Sequence, residues 1–241
     1  MIAPTPTTMT IPWRSLRGIV FDMDGVLFDT EPLNQQAEQH ICQTRGWDIP
    51  EREWQHLRGK TNHSVFTHLL QVARVAATEE LLDELIQQKR AEFLRLAATA
   101  QPIKGALAFV RRVRLLYERL ALTTSSNRLV QQALCERFLL AEIFDTVVTG
   151  DDVPRGKGKP DPTPYLLTIS RLWLDPRLLC AVEDSLNGVR SARAAGCFVT
   201  GLTTSFSRAE LTQAGAHLVV SSFEELATEL ARSPHSVVHP F

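Results

Sequence analysis

Short apolar runs alternating with amphipathic helical segments are what most restrict the folds open to this chain. Strand-like runs lie at Leu120–Thr123, Thr146–Val148, Leu178–Val182 and Phe198–Gly201. Helical patterns separate them over Gly105–Tyr117, from about Asn127, and over Pro162–Trp173 and Leu186–Ala195. A weaker strand at His217–Val220 and a last helix from Phe223 to Ala231 follow. Strands spaced by helices of this length require right-handed crossovers and a mostly parallel sheet with helices on both faces. The predicted class is therefore α/β, with a Rossmann-like core.

The run Gly18-Ile19-Val20-Phe21 reads as a further buried strand, and it ends in Asp22-Met23-Asp24-Gly25. Strand alternation puts Asp22 and Asp24 on one side and Met23 on the other. Open α/β sheets keep their ligand sites at the C-terminal strand edge. Two acids this close repel unless a cation or a proton neutralises one of them. Divalent metal binding and a split into one ionised and one protonated partner both satisfy that condition. An ordinary acidic turn is the plainest reading of the motif in isolation.

The segment between this strand and Gln101 has no strand pattern. Helical stretches are expected from Leu33 to Arg45, near Glu51–Leu57, through Val65, Leu69 and Val72, and after Thr78-Glu79-Glu80. Its apolar stripes are expected to form a core of their own. The expected division is an N-terminal tail at 1–16, an α/β core at 17–32 and 101–232, a helical insert at 33–100, and a C-terminal tail at 233–241.

Other strand ends carry polar residues as well. Thr124-Ser125-Ser126-Asn127 opens a helix, where hydroxyls and free N–H groups suit a phosphate, although N-capping alone would use the same residues. Gly158-Lys159-Pro160 fixes a lysine between a glycine and a proline, and Glu183-Asp184-Ser185 enters another helix. Four independent caps are a strained explanation for acids, hydroxyls, a lysine and more acids gathered at one sheet edge.

A net charge of −1 gives no footing for nucleic acid or an acidic membrane surface, and no run of about 18 apolar residues suggests a membrane span. The Thr- and Pro-rich start lacks the pattern of a signal peptide. Four dispersed cysteines without a C-x-x-C pair fit free thiols in a reducing cytoplasm. A monomer or a weak homo-oligomer is expected.

Together, Asp22-Met23-Asp24-Gly25-Val26, Thr124 after a strand, Gly158-Lys159-Pro160 and Glu183-Asp184-Ser185 resemble the four motifs of the haloacid dehalogenase-like superfamily. The likeness is greatest to its phosphoglycolate phosphatase and β-phosphoglucomutase-like group, and further matches include Phe28-Asp29-Thr30-Glu31-Pro32-Leu33, Asn187-Gly188 and Ala194-Ala195-Gly196. The resemblance implies that the helical insert is a cap over the active site. It makes Asp22 the nucleophile that forms an aspartyl-phosphate and Asp24 the acid and base. It also implies Mg²⁺ on oxygens of Asp22, the Asp24 backbone, Asp184 and Glu183. Thr124, Ser125 and Ser126, with Gly25 beside them, would hold phosphoryl oxygens, and Lys159 would neutralise charge. Arg58, Gly59 and Lys60, in a cap loop, are candidate substrate contacts.

The implied activity is Mg²⁺-dependent hydrolysis of a small phosphate monoester, such as a sugar phosphate or a phosphoglycolate-like metabolite. Asp24 argues against dehalogenation, which has no use for a second aspartate there. The mutase branch is the alternative, but this chain has Asn34 and Asn62 where mutases typically carry a cap histidine and arginine. A phospho-aspartate receiver module is a further alternative from another class, yet it needs neither the cap nor an acid to direct water.

Overall fold

The computed structural model describes residues 11–54, 56–57 and 60–232. In chain order the elements are β1 (Gly18–Phe21), β2 (Phe28–Asp29), α1 (Glu31–Thr44), α2 (Glu51–Trp54), α3 (Asn62–Val72) and α4 (Glu79–Ala97). There follow β3 (Gln101–Pro102), α5 (Ala106–Arg114), β4 (Arg119–Thr123), α6 (Arg128–Arg137), β5 (Thr146–Val148) and α7 (Thr163–Leu172). The last are β6 (Leu179–Glu183), α8 (Leu186–Ala194), β7 (Phe198–Leu202), α9 (Arg208–Ala214), β8 (Leu218–Val220) and α10 (Phe223–Arg232).

Six strands form one sheet in the order β5-β4-β1-β6-β7-β8, and every neighbouring pair is parallel. β1 lies inside the sheet, in register with β4 (Phe21 beside Leu122) and β6 (Phe21 beside Val182). The acids that follow it are thus flanked by the C-terminal ends of both neighbours. Alternation divides the strand residues between two cores, as the pleat requires. Ile19 and Phe21 pack with Phe109 and Val113 of α5, Leu134 of α6 and Leu226 of α10. Val20 packs with Tyr165 and Ile169 of α7, Val189 of α8 and Leu211 of α9.

The helices α1 to α4 enclose a third apolar cluster around Ile41, Trp54, Phe66, Leu69 and Leu85. Leu33 and Ala37 of α1 and Phe93 and Ala97 of α4 belong instead to the main core. The apolar stripes of the insert therefore serve two cores, because the helices that carry the chain out and back share their roots with the sheet domain. A two-stranded antiparallel ladder, β2 with β3, ties those roots together.

Two sequence expectations change. The segment ahead of the first strand is not wholly a tail: Ile11, Trp13 and Leu16 are buried in the main core. The seven-residue α9 falls where no helix was expected, and it is set by a Ser207/Glu210 capping box and stopped at Gly215. Residues 1–10 and the expected C-terminal tail at 233–241 lie outside the described residues. No helix among the described residues is long and apolar enough to cross a membrane. All four cysteines are free and buried, and burial pushes the Cys42, Cys180 and Cys197 thiols up to about 12, which leaves them unreactive.

Candidate active site

The site is assembled where β1, β4 and β6 end. Asp22 follows β1 directly and is buried, its N–H donating to the Val182 carbonyl at 3.0 Å. Lys159, from the segment before α7, donates to Asp22 Oδ1 at 2.6 Å, to Glu183 Oε1 at 2.6 Å and to the Thr123 carbonyl at 3.0 Å. All three ammonium donors are thereby used on one strand end each. Asp22 Oδ2 has no partner among the described residues, and Asp22 lines the cavity described below.

Asp24 is held from two directions. Thr30 Oγ1 donates to its Oδ1 at 2.8 Å, while Thr124 Oγ1 and Ser126 Oγ donate to its Oδ2 at 3.0 and 2.8 Å. The Ser126 N–H in turn donates to Thr124 Oγ1 at 3.0 Å. Thr124, expected to face a phosphate, thus has its hydroxyl turned to Asp24, as does Ser126.

Glu183 is fully buried and its carboxylate is engaged: Oε1 accepts from Lys159 and from the Tyr165 hydroxyl at 2.7 Å, and Oε2 from Ser185 at 3.3 Å. It rests on Gly188, where any Cβ would come within 2.0 Å of Glu183 Cδ. Asp184 Oδ2 accepts from Ser205 Oγ, and Thr204 Oγ1 donates to the Gly25 carbonyl at 2.6 Å. Gly25 has φ +75°, and a Cβ there would lie 2.0 Å from Asp184 Oδ2. A glycine is required at that position by both backbone and space.

Three buried acids, Asp22, Glu183 and Asp184, face one lysine. Burial alone would lower the Lys159 ammonium, but Asp22 and Glu183 outweigh it and hold it above its ordinary value. The surplus acid retains a proton instead. Burial raises Asp22 well above the carboxylate range against the pull of Lys159, and burial with Glu183 pushes Asp184 up to about 7. One oxygen from each of the three acids lies within 4.8 Å of the others. An all-oxygen, over-acidic cluster of this size fits a small hard divalent cation, whose charge would release the retained protons.

A cavity of about 240 Å³ opens over the acids. Its floor includes Asp22, Asp24, Gly25, Ser125, Ser126, Lys159 and Asp184, and its roof comes from α1, α3 and α4. Lys60 lines it and is exposed. Arg58 and Gly59, the other expected cap contacts, lie outside the described residues. The remaining residues read from the sequence as site residues come together. Those the sequence reading missed are Thr30, Tyr165, Thr204 and Ser205. The polar run Thr203-Thr204-Ser205, directly after β7, was the available signal for the last two.

The pattern of known proteins agrees with this geometry. The profile of haloacid dehalogenase-like hydrolases matches residues 19–202. The chain belongs to that family. Among its relatives, a phosphorylated carbohydrates phosphatase of Thermotoga maritima is 31% identical over 88% of this chain and 97% of its own length. Hexitol phosphatase B of Escherichia coli is 29% identical over 76% of this chain and 81% of its own. Among solved structures, CbbY of Rhodobacter sphaeroides in complex with xylulose-1,5-bisphosphate superposes with a TM-score of 0.74. It is 28% identical and covers 89% of this chain and 99% of that one. In this haloacid dehalogenase-like hydrolase the motif residues and the cavity coincide, so the family's chemistry has a place to occur.

Proposed function

We propose that this hydrolase is a Mg²⁺-dependent phosphatase acting on small phosphate monoesters, sugar phosphates foremost, through an aspartyl-phosphate on Asp22. The observation that carries the reading is the pairing of two unlike carboxylates on one cavity floor. Asp22 is fixed by Lys159 through one oxygen and has the other free, whereas Asp24 is held by three hydroxyls. The names of the relatives, a carbohydrate phosphatase and a hexitol phosphatase, support the substrate class.

In the first step the free oxygen of Asp22 attacks phosphorus and the bond from phosphorus to the ester oxygen breaks. Asp24 gives its proton to the departing alkoxide. In the second step Asp24 takes a proton from water, the water oxygen attacks phosphorus, and the bond to Asp22 breaks to release inorganic phosphate. Splitting one displacement into two in this way is the usual gain of covalent catalysis, and correctly placed proton transfer adds about 10²–10⁴-fold. Thr30, Thr124 and Ser126 keep Asp24 aimed at the ester oxygen. Ser125, with the helix start behind it, receives phosphoryl oxygens.

Asp22, Asp184 and the Asp24 backbone carbonyl would hold Mg²⁺, which when bound offsets the charge of the acids and of the phosphoryl group. Glu183 was expected among the metal ligands. Its oxygens are occupied by Lys159, Tyr165 and Ser185, so its assigned role is to position the lysine. The 33–100 segment acts as the cap that closes the site from water.

The test is turnover of p-nitrophenyl phosphate by the wild type, Asp22→Asn and Asp24→Asn, with and without EDTA. Asp22→Asn should give neither phosphate nor a phosphorylated chain by mass spectrometry. Asp24→Asn should accumulate the phosphorylated chain while releasing phosphate slowly. Near-normal turnover by Asp22→Asn, or full wild-type turnover in EDTA, would sink the proposal.

A further inference from the structure

On the roof of the cavity lies an ion pair that the hydrolytic steps do not use. Lys89 Nζ stands 2.6 Å from Glu38 Oε1, with both side chains only 7% exposed, and donates to Asn62 Oδ1 at 2.7 Å. The three residues come from three helices, α1, α3 and α4, and all three line the cavity that holds Asp22 and Asp24. As a tie between helices such a pair is inefficient, because desolvation consumes most of its attraction and an apolar pair would pack as well. Glu38 itself lines the cavity, on the wall it shares with Asn34 and Gln35.

We propose that Glu38, held by Lys89, which Asn62 in turn steadies, sets substrate specificity. It accepts hydrogen bonds from the hydroxyls of a neutral, polyhydroxylated leaving group and rejects leaving groups that carry a second anion. This inference rests on the phosphatase reading and narrows it to sugar or polyol monophosphates, against phosphoglycolate-like carboxylates and bisphosphates. An ionised carboxylate is an acceptor only, so its natural complement is a hydroxyl donor. The amides of Asn34 and Gln35, on the same wall, supply both donors and acceptors. Glu38 offsets the charge of Lys89, the one buried cation of the roof among the described residues, and so weakens its pull on a distant carboxylate or phosphate. A second anion would also be repelled by the Glu38 carboxylate, an element of the kind that specificity needs. Arg90, beside Lys89 and half-buried, lines the same cavity and also borders a depression with Thr124, Ser125 and Gly158. Lys60 is solvent-exposed.

The experiment compares a hexitol monophosphate, phosphoglycolate and a hexose bisphosphate as substrates of the full chain with Mg²⁺. The wild type should favour the hexitol monophosphate in kcat/KM by at least about tenfold over either competitor with an anionic tail. Glu38→Gln keeps volume and an acceptor but frees the charge of Lys89. It should lower KM for phosphoglycolate and the bisphosphate by about fivefold or more while raising KM for the hexitol ester. A merely structural tie would shift all three substrates in parallel. The double variant Glu38→Gln/Lys89→Gln, which removes both charges, should again disfavour the anionic substrates and serves if the single variant folds poorly. A wild-type preference for phosphoglycolate or the bisphosphate, or parallel shifts in the variants, would overturn the proposal. Calorimetric titration of Asp22→Asn with the same three compounds separates the two readings. Selective binding there without wild-type turnover removes the phosphatase reading alone; turnover without selectivity removes the role of Glu38 alone.

Discussion

Asp184→Asn should make the metal-free protein more stable, although it removes a proposed metal ligand. With no cation to offset them, burial and then Glu183 push the Asp184 carboxyl up to about 7, from an ordinary aspartate value of about 3.9. A group raised in the folded state holds its proton there after the unfolded chain has lost it. Stability contributed by that proton is intact below about pH 4 and is lost progressively as the pH rises to about 7. At about 1.36 kcal/mol per pH unit, the loss reaches at most about 4 kcal/mol at pH 8. Asparagine has the same shape, still accepts from Ser205, and never ionises. In EDTA at pH 8 the variant should exceed the wild type by up to about 4 kcal/mol, or roughly 8–15 °C in Tm for a chain of this size. Its stability should also fall less steeply between pH 4 and pH 7; Asp22, raised in the same direction, contributes to the slope that remains. Mg²⁺ should raise the Tm of the wild type and leave that of Asp184→Asn nearly unchanged. Differential scanning calorimetry across pH, with EDTA or Mg²⁺, measures all of this. Equal stability of the two proteins in EDTA at pH 8, with equal slopes below it, would refute the account of the cluster.

Lys159→Met leaves Asp22 and Glu183 without their shared partner; breaking a buried pair of this kind costs about 3–5 kcal/mol, to be read by urea denaturation at pH 8, and turnover should fall with it. Gly25→Ala combines a left-handed φ with a Cβ 2.0 Å from Asp184 Oδ2; the Mg²⁺ concentration for half-maximal activity should rise at least about tenfold as the ligand is displaced. With Asn34 and Asn62 on the cavity wall, neither able to carry charge, β-glucose 1-phosphate plus a trace of the 1,6-bisphosphate should yield free phosphate. Glucose 6-phosphate outpacing phosphate in ³¹P NMR would favour the mutase alternative.

The sheet was legible because each strand is a short apolar run flanked by helical spacing, a pattern that burial on both faces imposes. The floor of the site was legible for a related reason: Asp22, Thr124 and Asp184 each sit directly after a strand, so position along the chain fixes position in space. Where that relation weakens, the reading failed. α9 is too short for its periodicity to register, although Ser207, Glu210 and Gly215 mark both its ends. β2 and β3 are two residues each and pair across the whole helical insert, so no local pattern could announce them. Ile11, Trp13 and Leu16 lie in a Thr- and Pro-rich context that hides a packed segment behind a loose composition.

The roof was the least legible part, and the reason is physical. A strand end carries its polar residue to one edge whatever its neighbours do, whereas a polar residue on a cap helix faces solvent or cavity according to how the helices pack. Lys89 sits between Leu85 and Phe93, both buried, on the inner face of α4, and Glu38 follows the buried Ala37 on α1. Read alone, a lysine or glutamate at such a place is a solvated charge. Only when α1, α3 and α4 meet does Lys89 become the shared partner of Glu38 and Asn62. The chemistry of this family is written where topology alone fixes the residues, in the strand ends. The proposed choice of substrate rests instead on residues that meet only after tertiary packing, so that Glu38→Gln should change the substrate preference without touching a motif.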